Sequence, residues 1–250
     1  MQVIAFISGK GGVGKSTLAA NVGIGLVQRR KKVLLVDLDP QNVQRLHMGL
    51  DPQEYAGLAR EGITPASIFD SPFGASFIPF GRLQESELEE FEAYLEENPS
   101  WVLDRIRSLA SSGYDYILLD TPPGPTVYLQ QALHAADRAL VVVLADVASF
   151  ATIPRIQSLV QEYTEGSSSF LGMNILINQM PTHGKLGHQV RSALYAGYAQ
   201  QIVPVAVHKD HGVAQALAFE RPVLQYEPNC PASQDIQSVA DWLIDSSEQS

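Results

Sequence analysis

Short runs of consecutive apolar residues recur along the chain and alternate with stretches in which apolar residues fall three and four apart. The runs at residues 3–7, 32–37, 116–120, 138–144, 171–178 and 201–205 are rich in Val, Ile and Leu on both alternations, as strands covered on both faces require. Helical spacing is predicted over residues 16–28 and at about 99–111, 126–136, 152–164, 186–198, 209–218 and 232–244. Such alternation implies an α/β fold: a mostly parallel, doubly wound sheet flanked by helices and joined by right-handed crossovers. Residues 50–98 are less regular, with a short strand predicted at 75–79 and an acidic run at 85–97. They are read as a variable insert within a single domain of residues 1–250. The acidic run is either a solvated helix face or a partner-docking surface.

Composition narrows the class. At 250 residues, 45% apolar and 18% charged, the chain is long enough for one well-buried domain. The single cysteine, Cys230, excludes a disulfide framework, a cysteine zinc site and a CxxC redox pair, and reads as a half-buried thiol. His47, His134, His183, His188, His208 and His211 show no metal-ligand spacing with carboxylates or cysteine. A formal charge of −10 disfavours DNA backbones and anionic lipid, so the cluster Arg29-Arg30-Lys31-Lys32 reads as a solvated helix end. Residues 1–8 run directly into a glycine loop, which leaves no room for a cleavable leader and predicts a cytoplasmic protein. No apolar run approaches the ~18 residues of a membrane span.

The strongest chemical signal is Gly9-Lys10-Gly11-Gly12-Val13-Gly14-Lys15-Ser16-Thr17, a GxxxxGK[ST] string between a predicted strand and a predicted helix. Its glycines let successive N–H groups point at one phosphate cluster, a backbone path closed to larger side chains. Lys15 is placed to reach β- and γ-phosphates, Ser16 to ligate Mg²⁺, and Thr17 to lie near the α-phosphate at the helix N-terminus. The run at 116–120 closes on Asp120, as the acidic strand that holds a magnesium-bound water would.

Lys10 stands where a generic phosphate loop needs no particular side chain. The string Lys-Gly-Gly-Val-Gly-Lys-Ser-Thr resembles the deviant Walker A loop of the MinD/ParA-like P-loop ATPases, and the resemblance extends to Asp37-Leu38-Asp39-Pro40-Gln41. It implies a P-loop NTPase that takes ATP and Mg²⁺, hydrolyses ATP slowly, and forms a homodimer in the ATP state. By the same resemblance Lys10 reaches the partner's nucleotide, Asp39 positions the attacking water, and Asp37 and Asp39 support the magnesium shell. Asn178 would contact adenine, Pro204 and Val205 would line the base through their backbone, and Thr121-Pro-Pro-Gly124 would form a second nucleotide-sensing loop. Plainer readings stand beside these: Lys10 as an exposed loop lysine, Asp37 and Asp39 as strand-end carboxylates capping a helix, Gly124 as a turn glycine, Asn178 as a loop amide.

Several branches of that family conflict with the residues. One cysteine cannot hold an iron–sulfur cluster, the segment from Asp235 to Asp245 is acidic rather than a basic membrane helix, and no tyrosine cluster ends the chain. What remains resembles the BcsQ (YhjQ) branch associated with bacterial cellulose synthase, through Phe77-Ile-Pro-Phe-Gly81, Ala132-Leu-His-Ala-Ala-Asp137, Ile175-Leu-Ile-Asn178 and Val207-His-Lys-Asp-His-Gly212. The resemblance implies an ATP-dependent sandwich dimer that regulates or localises the cellulose synthase complex at the inner membrane. It would reach the membrane through partner subunits, without inserting. A non-hydrolysing, ATP-bound scaffold and a ParA-type DNA partition ATPase remain as alternatives.

Overall fold

The computed structural model describes residues 1–51, 55–182 and 185–248; His183 lies outside them. Along the chain run β1 (Gln2–Ile7), α1 (Lys15–Gln28), β2 (Val33–Asp37), α2 (Gln44–His47), α3 (Leu58–Glu61), β3 (Phe69–Asp70), β4 (Ser76–Ile78), α4 (Glu85–Glu97) and α5 (Trp101–Ser108). There follow β5 (Tyr116–Asp120), α6 (Val127–Ala135), β6 (Arg138–Leu144), α7 (Val147–Thr164), β7 (Gly172–Asn178), α8 (Lys185–Tyr198), α9 (His211–Ala218), α10 (Val223–Tyr226) and α11 (Pro231–Glu248).

The strands form one sheet in the order β3-β4-β2-β5-β1-β6-β7, parallel except for the β3–β4 pair. Strand alternation feeds two cores. Val3, Ala5 and Ile7 face one layer with Ile117, Leu119, Val141 and Ile175. Ile4 and Phe6 face the other with Leu35, Leu118, Leu140 and Leu176. Each fully buried aliphatic chain contributes about 1.5–3 kcal/mol, so continuous apolar strands are what a two-sided sheet needs. The register sets Asp37 opposite Asp120 and Phe6 opposite Asp120, so the first three strands to carry chemistry end at one edge.

Helix α1 is buried from Leu18 to Leu26, because the sheet lies on one side and α11 on the other. Gly25 allows that second contact: a Cβ there would sit 3.1 Å from the Ala240 Cβ. Arg29 is more than a solvated helix end. Its guanidinium pairs with Asp241 and donates to the Gly25 and Gln237 carbonyls, tying α1 to α11.

Residues 201–205 do not form the predicted strand. Only isolated parallel bridges, Ile175 to Ile202 and Met180 to His208, remain. Val203 N donates to Ile175 O, but the next ladder bond comes from Val207 N to Ile177 O, because Pro204 has no N–H and the chain loops out after it. Helix α7 begins at Val147 rather than 152: the Asp146 carboxylate accepts from Ser149 N at 2.6 Å and caps it there, upstream of Pro154. Within the irregular 50–98 stretch, β4 pairs with β2 and α4 packs over α6, so this part belongs to the edge of the main sheet. Cys230 is buried rather than half-buried. No helix among the described residues is long and apolar enough to cross a membrane.

Candidate functional site

Between β1 and α1 the chain turns through residues 8–14 with Gly12 at φ 75° and Gly14 at φ 84°, both in the left-handed region that favours glycine. Gly14 is doubly constrained, since a Cβ would lie 2.4 Å from Asn178 Nδ2. The turn is held from outside by Asn178 Nδ2, which donates to Val13 O at 2.7 Å, and by Gly124 N, which donates to Ser8 O at 2.9 Å. Ser8 Oγ donates to Lys10 O. The loop wraps a cleft of about 280 Å³ whose wall also includes Asp39, Gln41, Val43 and Pro123.

Lys15 is only 6% exposed, and its Nζ donates to Asp120 Oδ1 at 2.5 Å. The second oxygen of Asp120 is enclosed without a hydrogen-bond partner. Asp37, wholly buried, accepts from Asp39 N at 3.0 Å and from Gln44 N at 3.3 Å, so both its oxygens shape the acidic loop rather than line the cleft. Asp39 does line it, and accepts from Gln41 N at 3.0 Å. Burial, reinforced by the neighbouring Asp120, pushes the Asp37 carboxyl well above the usual carboxylate range. Burial also raises Asp39. Three buried carboxylates thus share one buried cation. A divalent cation fits this donor set, with the Ser16 hydroxyl in the loop and the spare Asp120 oxygen nearby, because it would relieve a local excess of negative charge.

Lys10 points elsewhere. Its Nζ donates to Asp146 Oδ2 at 2.7 Å, with both side chains about a third exposed. Against its desolvation, the hydrogen bonds from Lys10 and Ser149 hold the Asp146 carboxyl below its ordinary value.

A second hollow of about 300 Å³ continues from the first, sharing Gly14 and Thr17. Asn178 and Gln179 form one side; Val207, Lys209, Asp210 and apolar Val213 and Leu217 form the other. Pro204 and Val205 are not among the residues that line it: Pro204 is exposed and Val205 packs on the α1 side of the core. The lining begins at Val207 and runs through the turn before α9, where Asp210 caps by accepting from Gly212 N. A helix cap directly after a strand-like segment is the signal that would have located it, since ligands in open α/β sheets sit at such carboxyl edges. Two residues carried no local signal at all: Asp146, which meets Lys10 across 136 positions, and His47, whose Nε2 lies 3.2 Å from Thr17 Oγ1. Of the other described histidines, His208 pairs with Asp235.

The family model for cellulose biosynthesis protein BcsQ matches residues 1–244. The BcsQ protein of Escherichia coli K12 is 27% identical over 252 residues, covering 98% of this chain and 94% of its own. Among solved structures, the cell division ATPase MinD of Pyrococcus furiosus superposes with a TM-score of 0.79 at 20% identity, covering 98% of this chain and 99% of the other. Cobyrinic acid a,c-diamide synthase of Mycobacterium smegmatis, solved with an ATP analogue and magnesium, superposes at 0.81 with 19% identity over 99% and 96% of the two chains.

Proposed function

The chain belongs to the family of cellulose biosynthesis protein BcsQ, and from that premise we propose that it is a magnesium-dependent ATPase that dimerises on ATP and acts on the cellulose synthase assembly at the inner membrane. The observation that carries the ATPase reading is the buried Lys15–Asp120 pair, whose lysine lines a glycine-rich cleft with Asp39 on the same wall. The loop amides and Lys15 would bind the phosphates, Lys15 exchanging Asp120 for phosphate oxygens. Ser16, Asp120 and Asp39 are the residues that would hold magnesium, whose charge would offset that of the phosphates. Asp37 acts through the Asp39 backbone, keeping that carboxylate at the cleft. Asp39 orients the attacking water, and a carboxyl raised by burial is suited to accept its proton. Asn178 fixes the loop and borders the hollow in which a base would lie.

Dimerisation is supported by Lys10, which is partly exposed, and by Val43 and Val147, two exposed apolar residues beside the cleft and beside Asp146. Family membership supports the cellulose assembly as the partner, reached through protein contacts since no described helix could span the bilayer.

Replacing Lys15 would be a poor test, because it would strand buried carboxylates and cost about 3–5 kcal/mol of stability. Asp39→Ala is cleaner. ATP turnover should fall by at least about a hundredfold with ADP affinity retained, as expected for loss of a water-orienting base. Turnover equal to wild type would remove Asp39 from the mechanism.

A further inference from the structure

Behind the phosphate loop, α2 brings a histidine against Thr17. His47 is 1% exposed; its Nε2 lies 3.2 Å from Thr17 Oγ1, and its Nδ1 is enclosed without a hydrogen-bond partner. Thr17 borders both hollows of the site. Its carbonyl is fixed by Asn21 Nδ2 at 2.8 Å, and α2 is anchored at its other end by Gln44 N on Asp37.

Burial lowers the His47 pKa to about 4, so near neutral pH the ring carries a single proton. Two arrangements are then possible. With the proton on Nδ1, a buried N–H is orphaned and the bare Nε2 draws the Thr17 proton inward, away from the cleft. With the proton on Nε2, the ring donates to Thr17 Oγ1, and Nδ1 is left as an unpaired acceptor. Orphaned buried N–H groups are rarer than under-satisfied acceptors, which favours the second arrangement.

We propose that His47 is a positioning residue for nucleotide: its Nε2–H donates to Thr17 Oγ1, which leaves the Thr17 proton free to donate to a phosphate oxygen. This rests on the ATPase reading above. It also joins the acidic loop to the phosphate loop, since the same short helix leans on Asp37 at one end and Thr17 at the other.

The test uses the full chain with Mg·ADP as probe. Long-range proton–nitrogen NMR of the wild-type complex, with the His47 signals assigned by their absence in His47→Phe, should show Nε2 protonated and Nδ1 bare. By calorimetry His47→Phe should bind ADP roughly tenfold more weakly, the loss of one buried hydrogen bond. His47→Gln should recover most of that loss, because its amide nitrogen falls where Nε2 was. An Nδ1-protonated ring, ADP binding by His47→Phe within twofold of wild type, or His47→Gln no better than His47→Phe would each overturn the inference. Should His47→Phe fail to fold, the signals are assigned from His47→Gln and the wild-type tautomer decides. Wild type that binds no Mg·ADP would overturn the ATPase reading itself, whereas wild type that binds while His47→Phe is unaffected overturns this inference alone.

Discussion

Individual side chains in this site are governed by burial more than by pairing. His47 shows it without a charged partner: it stays neutral in the fold down to a pKa of about 4, against an ordinary value of 6.5. Between those values the unfolded chain binds more protons than the folded one. The contribution of His47 is therefore fully present above pH 6.5 and is lost as pH falls towards 4. Asp37 and Asp39 act in the opposite sense, since their raised carboxyls take up protons in the folded state first and gain stability as pH falls. Comparing wild type with His47→Gln cancels the carboxylates. Urea titrations at pH 7 and 4.5 should show wild type losing about 2–3 kcal/mol more than the variant on acidification. Equal losses would mean that the ring takes up its proton freely within the fold.

Among the elements, α1 is the best example of sequence and packing in accord. Its residues show little amphipathic contrast, and the structure explains why: the sheet covers one side and α11 the other. Gly25 sits where those helices touch, and two effects compete there. Glycine in a helix costs about 1 kcal/mol relative to alanine, yet Ala240 lies 3.1 Å from any added Cβ. A branched side chain settles the contest in favour of the clash, so Gly25→Val should destabilise by about 1–3 kcal/mol in denaturant unfolding. An unchanged midpoint would show that α11 can step aside. The central strands and the phosphate loop were legible because their signals are local: apolar runs, glycines at fixed spacing, and an aspartate closing a strand. Residues 201–205 misled because Val and Ile flank Pro204, and the apolar run outweighed the missing N–H. The partners of Lys10 and Thr17 could not be read at all, since nothing in the local sequence marks contacts made across 136 and 30 positions.

On the scale of the whole molecule, the net charge of −10 disfavours long-range attraction to polyanions, and Lys10 is engaged within its own chain. That pair is partly exposed, and exposed pairs contribute about 1 kcal/mol or less, so Lys10 can leave Asp146 for a second subunit at small cost. If the proposed ATP-dependent dimer forms through Lys10, Lys10→Ala should abolish any ATP-dependent rise in molecular mass measured by light scattering while leaving the monomer folded; an unaltered rise would exclude a cross-subunit role. The α1–α11 contact has a further consequence, for the order in which the chain is made. α1 leaves the ribosome long before the helix that covers its outer side, fastened through Arg29 and Asp241, which begins only at Pro231. At 5–20 residues per second the interval is on the order of 10–40 s. Throughout it the nascent protein carries a completed glycine turn above an uncovered apolar helix, a surface that chaperones must shield and that a stalled or clipped chain would expose for good.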